Sequence, residues 1–277
     1  TEINARPTDI VADGVLAVAE NGSAGTALAS LSSVDADTLE IAGETATYTL
    51  LDDAGGRFAL SADGRLSTGA VALDYEAGST RTIRVQVTDS GGLTFIQDIE
   101  VSVLNVNEGP TASSQTRSTD EDVVLSGSIG AIDPDGNIVS YVLIANPTRG
   151  VVSLNQTTGT WTYTPNANVY GTDTFQVRVT DAGGLSTVET VTVNVVSVND
   201  APTSLTLTGA PASIAETDRP IAGTLANPLV LGTLSATDVD ASDAGDFATF
   251  VFSVADSRFE IVDGNVLRLR AGAVIDF

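Results

Sequence analysis

The sequence predicts an all-β chain made of tandem β-sandwiches, about seven strands each, arranged end to end. Three observations carry that expectation. Apolar and polar residues alternate with period two over long stretches, as half-buried strands require. The connections between these stretches are short and rich in Gly, Asp, Asn and Ser, while helical spacing is weak. Finally, the chain repeats itself: NVNEGPT (Asn105–Thr111) returns as SVNDAPT (Ser197–Thr203), with Pro202 92 residues after Pro110. Strands this short and evenly spaced fit a sandwich of roughly 100 residues.

The elements follow in order. TIRVQV (Thr82–Val87) and FIQDIEVSVLNV (Phe95–Val106) are β-branched strand patterns, repeated as TFQVRVT and TVETVTVNVVSV in the next segment. VTDSGGL (Val87–Leu93) recurs as VTDAGGL (Val179–Leu185), a hairpin corner in which Gly supplies positive φ. A D-x-D stands early in each repeat, in VDAD (Val34–Asp37), IDPD (Ile132–Asp135) and TDVD (Thr237–Asp240). A glutamate precedes each one, in AEN, DED and AET. Self-similarity therefore divides the chain into repeats at 1–108, 109–200 and 201–277, the last incomplete. With no initiator Met and an end at VIDF in mid-pattern, the chain reads as an internal piece of something longer. TEINARPT resembles the tail of an earlier junction, with Asn4 and Pro7 in the places of Asn107 and Pro110.

Composition removes whole classes of chemistry. The chain carries 36 acidic residues against 12 basic ones, all arginine, and a net charge of −24 argues against nucleic acid. It has no His, Cys or Lys. A Ser–His–Asp triad, a thiolate nucleophile, a Schiff-base lysine and an imidazole or thiolate zinc site are all beyond it. Oxygen sites for hard cations remain available. No apolar run approaches the length of a membrane span and no signal peptide opens the chain.

Taken singly, each motif also fits a plain turn, because Asp caps its own backbone and proline ends a ladder. Their combination points further. A sandwich brings its first strand, one interstrand corner and its exit to one pole, facing the early D-x-D and the last hairpin of the repeat that follows. Glu20, Asp74, Glu76 and Glu108 would then face Asp133, Asp135 and Asp181, with no basic residue among these motifs. Such a group repels itself unless compensated. Calcium takes six to eight oxygens, amide and backbone carbonyls included, and suits the set better than magnesium, which demands octahedral geometry and keeps its waters.

In sequence, AENGSAGT, VDAD, LDYEAG, VTDSGG and NVNEGPT resemble a cadherin repeat, matching its x-E-x, D-x-D, D-R-E and D-x-N-D-N-x-P signatures in order. DEDVVLSGSI, DPDGN, TYTPNANVYGTDTF and VTDAGG resemble the bacterial cadherin-like modules of large secreted adhesins. The resemblance implies tandem Greek-key β-sandwiches of the cadherin/immunoglobulin-like kind that bind Ca2+ between repeats. Residue by residue, it makes Glu20 the first-strand ligand, Asp74 and Glu76 the D-R-E pair and Glu108 the bridging linker acid. Asn107 would add an oxygen, Asp133 and Asp135 would be the following D-x-D, and Asp181 the late ligand. At the second junction the matching residues are Glu121, Asn199, Asp200, Asp238 and Asp240, with Asp173 expected to replace the absent D-R-E. Asn4, Asp35, Asp37 and Asp89 would serve a junction with a preceding repeat. The chain departs from the pattern at Asn105 and Ser197, where the linkers usually begin with Asp, at Tyr75, which replaces Arg, and at Gly109.

The function expected on this basis is a calcium-stiffened adhesion or spacer module of a large bacterial surface or secreted protein, not an enzyme. Its partners would be neighbouring repeats of the same chain, cell-surface glycans or other adhesin molecules, and its place extracellular. A carbohydrate-binding module is the alternative, with Trp161 as the stacking platform, although a Trp in a sandwich strand more often belongs to the core. Homophilic adhesion by strand exchange would need an anchoring Trp that the first repeat lacks. A two-carboxylate glycosidase is chemically allowed, but no pair of acids is singled out by the sequence.

Overall fold

The computed structural model describes residues 4–36, 45–211, 229–242 and 249–270. Asp37, the AET motif and the closing VIDF lie outside the described residues. As expected, the fold is all-β, and the described residues add a 3-10 turn at Val239–Ser242. No helix among the described residues is long and apolar enough to cross a membrane.

The first repeat contains β1 (Asp9–Ala12), β2 (Ala17–Ala19), β3 (Ala27–Val34), β4 (Thr47–Asp52), β5 (Phe58–Leu60), β6 (Arg65–Thr68), β7 (Thr80–Thr88) and β8 (Thr94–Leu104). They form two four-stranded sheets, ordered β1-β3-β6-β5 and β2-β8-β7-β4. The opening strand is shared between the sheets, since β1 pairs antiparallel with β3 while β2 pairs parallel with β8. Gly14, at φ +155°, lies where the chain crosses from one sheet to the other.

The second repeat contains β9 (Gln115–Asp120), β10 (Leu125–Ser128), β11 (Ile138–Ala145), β12 (Gly150–Leu154), β13 (Thr160–Pro165), β14 (Gly171–Asp181) and β15 (Ser186–Val196). Its sheets run β10-β13-β12 and β11-β14-β15-β9, with β9 parallel to β15. The third segment has β16 (Ser204–Thr208), β17 (Val230–Thr237), β18 (Phe259–Val262) and β19 (Val266–Leu269) in one sheet, ordered β16-β17-β19-β18. Two compact units cut across this repeat order. One joins Thr1–Thr111 to Ile132–Val139 and Thr180–Ser186, and the other comprises Ala112–Ala131, Ser140–Val179 and Thr187–Phe277. The DPDGN loop and the tip of the VTDAGG hairpin thus belong with the first repeat.

Alternation is what fills each core. On β8, Ile99, Val101 and Val103 point inward on the same face of the sheet as Ile83, Val85 and Val87 of β7, while Glu100 and Ser102 face solvent. A one-residue slip of either strand would turn that strand's inward side chains outward. In the second repeat, Phe175, Val177 and Val179 of β14 and Val191, Val193 and Val195 of β15 are buried in the same way.

Two side chains assigned functional roles from the sequence prove to be structural. Trp161 is only 2% exposed, packed edge-on against Phe175 with ring centroids 5.2 Å apart, so its ring offers no face to a sugar. It lies directly across the ladder from Gly127, where a Cβ would stand 2.8 Å from the indole Cε2. Asp173 is buried and its oxygens are fully engaged by the protein itself. Oδ1 accepts from the Thr148 and Thr174 amides, and Oδ2 from the Arg149 amide and the Tyr163 hydroxyl, at 2.8 to 3.0 Å. Burial alone would raise the carboxyl's pKa, but these donors outweigh it and hold it below the usual carboxylate range. Burial, with the Asp173 hydrogen bond, pushes the Tyr163 hydroxyl up. Asp173 therefore ties the β11–β12 connection to β13 and β14, and does not stand in for the missing D-R-E.

Gly127→Ala should destabilise the second repeat by about 1–3 kcal/mol, read from urea unfolding, because the added methyl displaces the Trp161 ring. Asp173→Ala should cost roughly 3 kcal/mol or more, equally with calcium or with chelator, because it leaves buried donors unmade. The depressed pKa of Asp173 fixes the pH window. Its charge-linked contribution is present above the ordinary value of 3.8 and is lost as pH falls through the lower folded value, so the gap between acid melts of the Ala variant and wild type should narrow there.

Candidate metal centre

Glu20 is the residue around which the first acidic pole forms. It follows β2 and is 3% exposed, and its own amide donates to the Leu104 carbonyl at the end of β8. Its carboxylate accepts the Val106 amide at 2.9 Å through one oxygen and the Tyr75 amide at 2.6 Å through the other. One buried charge thus joins the first strand, the LDYE loop and the linker. That loop is itself folded by Asp74, whose Oδ1 accepts the Ala77 amide at 2.8 Å.

Around this pin the predicted carboxylates converge. Glu20, Asp74 and Glu76 place oxygens within 4.8 Å of one another, and so do Glu76, Glu108 and Asp135. Glu76 belongs to both groups and links them. Burial first, and then the charges of Glu20, Glu108 and Asp135, push its pKa up. The Glu108 amide donates to Asp135 at 2.8 Å, which fixes the linker against the D-x-D loop. Asp133 is 8% exposed, yet neither of its oxygens accepts a hydrogen bond, and Glu108 Oε2 and Asn137 Oδ1 are likewise buried and unpartnered. Buried polar atoms are almost always satisfied, so unpartnered oxygens gathered beside an acidic cluster are what a hard cation would fit.

Asp181 behaves differently. Burial would raise its pKa, but the Asn107 side chain and the Leu185, Gly184 and Gly183 amides outweigh that and lower it. Asn107 Nδ2 donates to Asp181 at 2.8 Å, and its Oδ1 accepts from Asn137 at 2.9 Å.

Three residues join the pole that the motif reading did not single out. Asn137, the last residue of DPDGN, supplies the unpartnered oxygen. Asn21, beside Glu20 and at φ +57°, donates to Glu108. Arg57 lines a cavity of about 480 Å3 with Glu20, Asp74, Glu76 and Glu108, but its Nη1 donates to the Ala54 carbonyl and its Nε has no partner. The motif order gave a signal for the two asparagines, which adjoin predicted ligands. Nothing in it pointed to Arg57.

The second pole repeats part of this plan. The Glu121 amide donates to the Val196 carbonyl, and its Oε1 accepts the Val198 amide, both at 2.8 Å. The Asp200 amide donates to Asp240 at 2.5 Å, as Glu108 does to Asp135. Asn199 Nδ2 donates to the Asp200 carbonyl, and the Asp240 amide to Asp238. What the second pole lacks is a counterpart of the LDYE acids: among the described residues, no group of three carboxylates closes there as it does around Glu76. At the chain's start, Asn4 Nδ2 donates to Asp89 at 3.1 Å and Asp35 is buried. No acidic trio forms around them among the described residues.

Comparison with known proteins agrees with this architecture. Residues 107–197 match the bacterial cadherin-like domain family. Protocadherin Fat 1 of Homo sapiens is 27% identical over 218 residues, 72% of this chain, and the chain spans only 5% of that protein's length. The extracellular domain of Protocadherin GammaB4 superposes with a TM-score of 0.64 at 20% identity, covering 96% of this chain and 46% of that one. Human CDH23 EC21-23 gives 0.62 at 19% identity, covering 98% of this chain and 91% of that one. Residues 107–197 therefore match the bacterial cadherin-like domain family, and the described chain shares the fold of the cadherin extracellular repeats to which it is similar.

Proposed function

We propose that the chain is an extracellular spacer of an adhesion protein whose junctions are stiffened by Ca2+. The observation that carries this reading is Glu76, shared by two groups of carboxylates, together with a buried Asp133, two residues before Asp135 of the second group, with both oxygens unpartnered. Glu20, Asp74, Glu76, Glu108, Asp133 and Asp135 would hold the cations, with Asn137 Oδ1 as an additional oxygen. The bound ions would supply positive charge directly to these oxygens, which Arg57, turned to the Ala54 carbonyl, does not. The residues do the rest: Glu20 positions the linker, and the Glu108 amide fixes the D-x-D loop, so the oxygens from both sides of the linker are gathered before any ion enters. The second pole, without an LDYE counterpart, would bind more weakly. A bacterial surface or secreted parent fits the match at residues 107–197, and cell-surface glycans or other copies of the adhesin are the partners this role implies.

Thermal melts test the reading. Extracellular calcium sites have Kd values of about 10⁻⁴ to 10⁻³ M. At free calcium 100 times Kd, each filled site adds roughly 2.7 kcal/mol. For a repeat of this size, that corresponds to a rise on the order of 10 °C over the melt in EDTA. Superimposed melts in the two conditions would sink the proposal. Glu76→Gln supplies a sharper outcome. It removes the charge that both groups share, so the chelated protein should melt higher than wild type while the shift produced by calcium shrinks. A variant with a lower melt in EDTA and an undiminished calcium shift would contradict the role assigned to Glu76.

A further inference from the structure

The two glycines of each D-x-G-G hairpin answer to different demands, and the difference exposes a contact between linker and hairpin. Gly184 sits at φ +91°, in the left-handed region that favours glycine. Gly183 has no such backbone requirement. A Cβ at Gly183 would instead stand 2.5 Å from Asn107 Nδ2, so the missing side chain leaves a recess that the linker asparagine fills. From that seat, Asn107 Nδ2 donates to Asp181 Oδ2 at 2.8 Å and Asn107 Oδ1 accepts from Asn137 Nδ2 at 2.9 Å. The other Asp181 oxygen accepts the Leu185 amide at 2.8 Å and closes the hairpin.

The same arrangement appears a second time, in different sequence. A Cβ at Gly91 would stand 2.5 Å from Asn4 Nδ2, Gly92 takes φ +88°, Asn4 Nδ2 donates to Asp89 Oδ2 at 3.1 Å, and the Leu93 amide donates to Asp89 Oδ1 at 2.8 Å. In both places an asparagine that precedes the repeat enters a recess over the first glycine and hydrogen-bonds the hairpin aspartate. We propose that this recess is a docking site for a primary amide, a side-chain latch that seats each linker on the hairpin of the repeat after it without any metal ion. The hairpin end of the linker is then held by the latch and the Glu20 end by backbone amides, which leaves the Glu76 carboxylates as the part for charge compensation to fix. This inference does not depend on calcium binding.

Hydrogen–deuterium exchange of the 277-residue chain, carried out throughout in EDTA, tests the latch. The reporter is the Glu108 amide, which donates to Asp135 and lies next to Asn107. In wild type it should exchange slowly. Asn107→Ala and Gly183→Ala should each speed its exchange about tenfold, the factor that a lost interaction of roughly 1.4 kcal/mol gives. The double variant should exchange no faster than either single one, because both changes break the same contact. If Gly183→Ala also releases the Leu185 amide, the hairpin itself has been disturbed, and Asn107→Ala then decides alone. A wild-type Glu108 amide that exchanges at the rate of an unstructured peptide in EDTA would overturn the latch, as would an unchanged rate in Asn107→Ala. Because calcium is absent from every arm, these outcomes are separate from those of the calcium melts.

Discussion

A buried glutamate at the end of the first strand, held by backbone amides, is the constraint on which the first junction depends. Glu20 receives the Val106 amide from the linker and the Tyr75 amide from the LDYE loop, and donates its own amide to Leu104. These bonds set where Asp74, Glu76 and Glu108 lie, and so set how close their charges come. Glu121 repeats the arrangement with Val198 and Val196, which suggests that the glutamate is built into the repeat and is not peculiar to one junction. An amide is a partial positive charge that cannot leave, so it anchors a buried carboxylate more securely than a long, mobile arginine does.

The arginines are mostly used elsewhere. Arg65 pairs with Asp63, Arg84 with Asp98 and Arg258 with Asp256, all on exposed surface where such pairs add little. Arg57 reaches the acidic cavity but gives its guanidinium to a backbone carbonyl. The acidic excess is therefore unevenly met: at the rim by arginine, at Asp173 and Asp181 by amides and side-chain donors, and around Glu76 by neither. A carboxylate with enough donors is finished structure, whereas one that lacks them remains open to chemistry.

That distinction explains what could be read from the sequence. Strand alternation was legible because burial on one face writes itself into every second residue, as in Ile99, Val101 and Val103. The convergence of Glu20, Asp74, Glu76, Glu108 and Asp135 was legible because their motifs occur in a fixed order with acids at fixed places. Asp173 misled for a physical reason. Its donors, Thr148 and Arg149, lie 25 and 24 residues earlier, and no local pattern says that their amides will point at it. Trp161 was ambiguous because a strand tryptophan looks the same in sequence whether its ring covers Gly127 or faces solvent. Asn137 and Asn21 adjoin predicted ligands, but their contacts with Asn107 and Glu108 emerge only once the chain has folded.

The division of the opening strand has a mechanical consequence. Because β2 runs parallel to β8, and β9 parallel to β15, a repeat's entrance and exit strands lie side by side with their ends pointing opposite ways along the direction of pull. Tension on the chain then slides the two strands past each other, and their hydrogen bonds share the load instead of opening one at a time. The second repeat sets six registered pairs against such a pull and the first only three, so of the two clasps the first is the weaker.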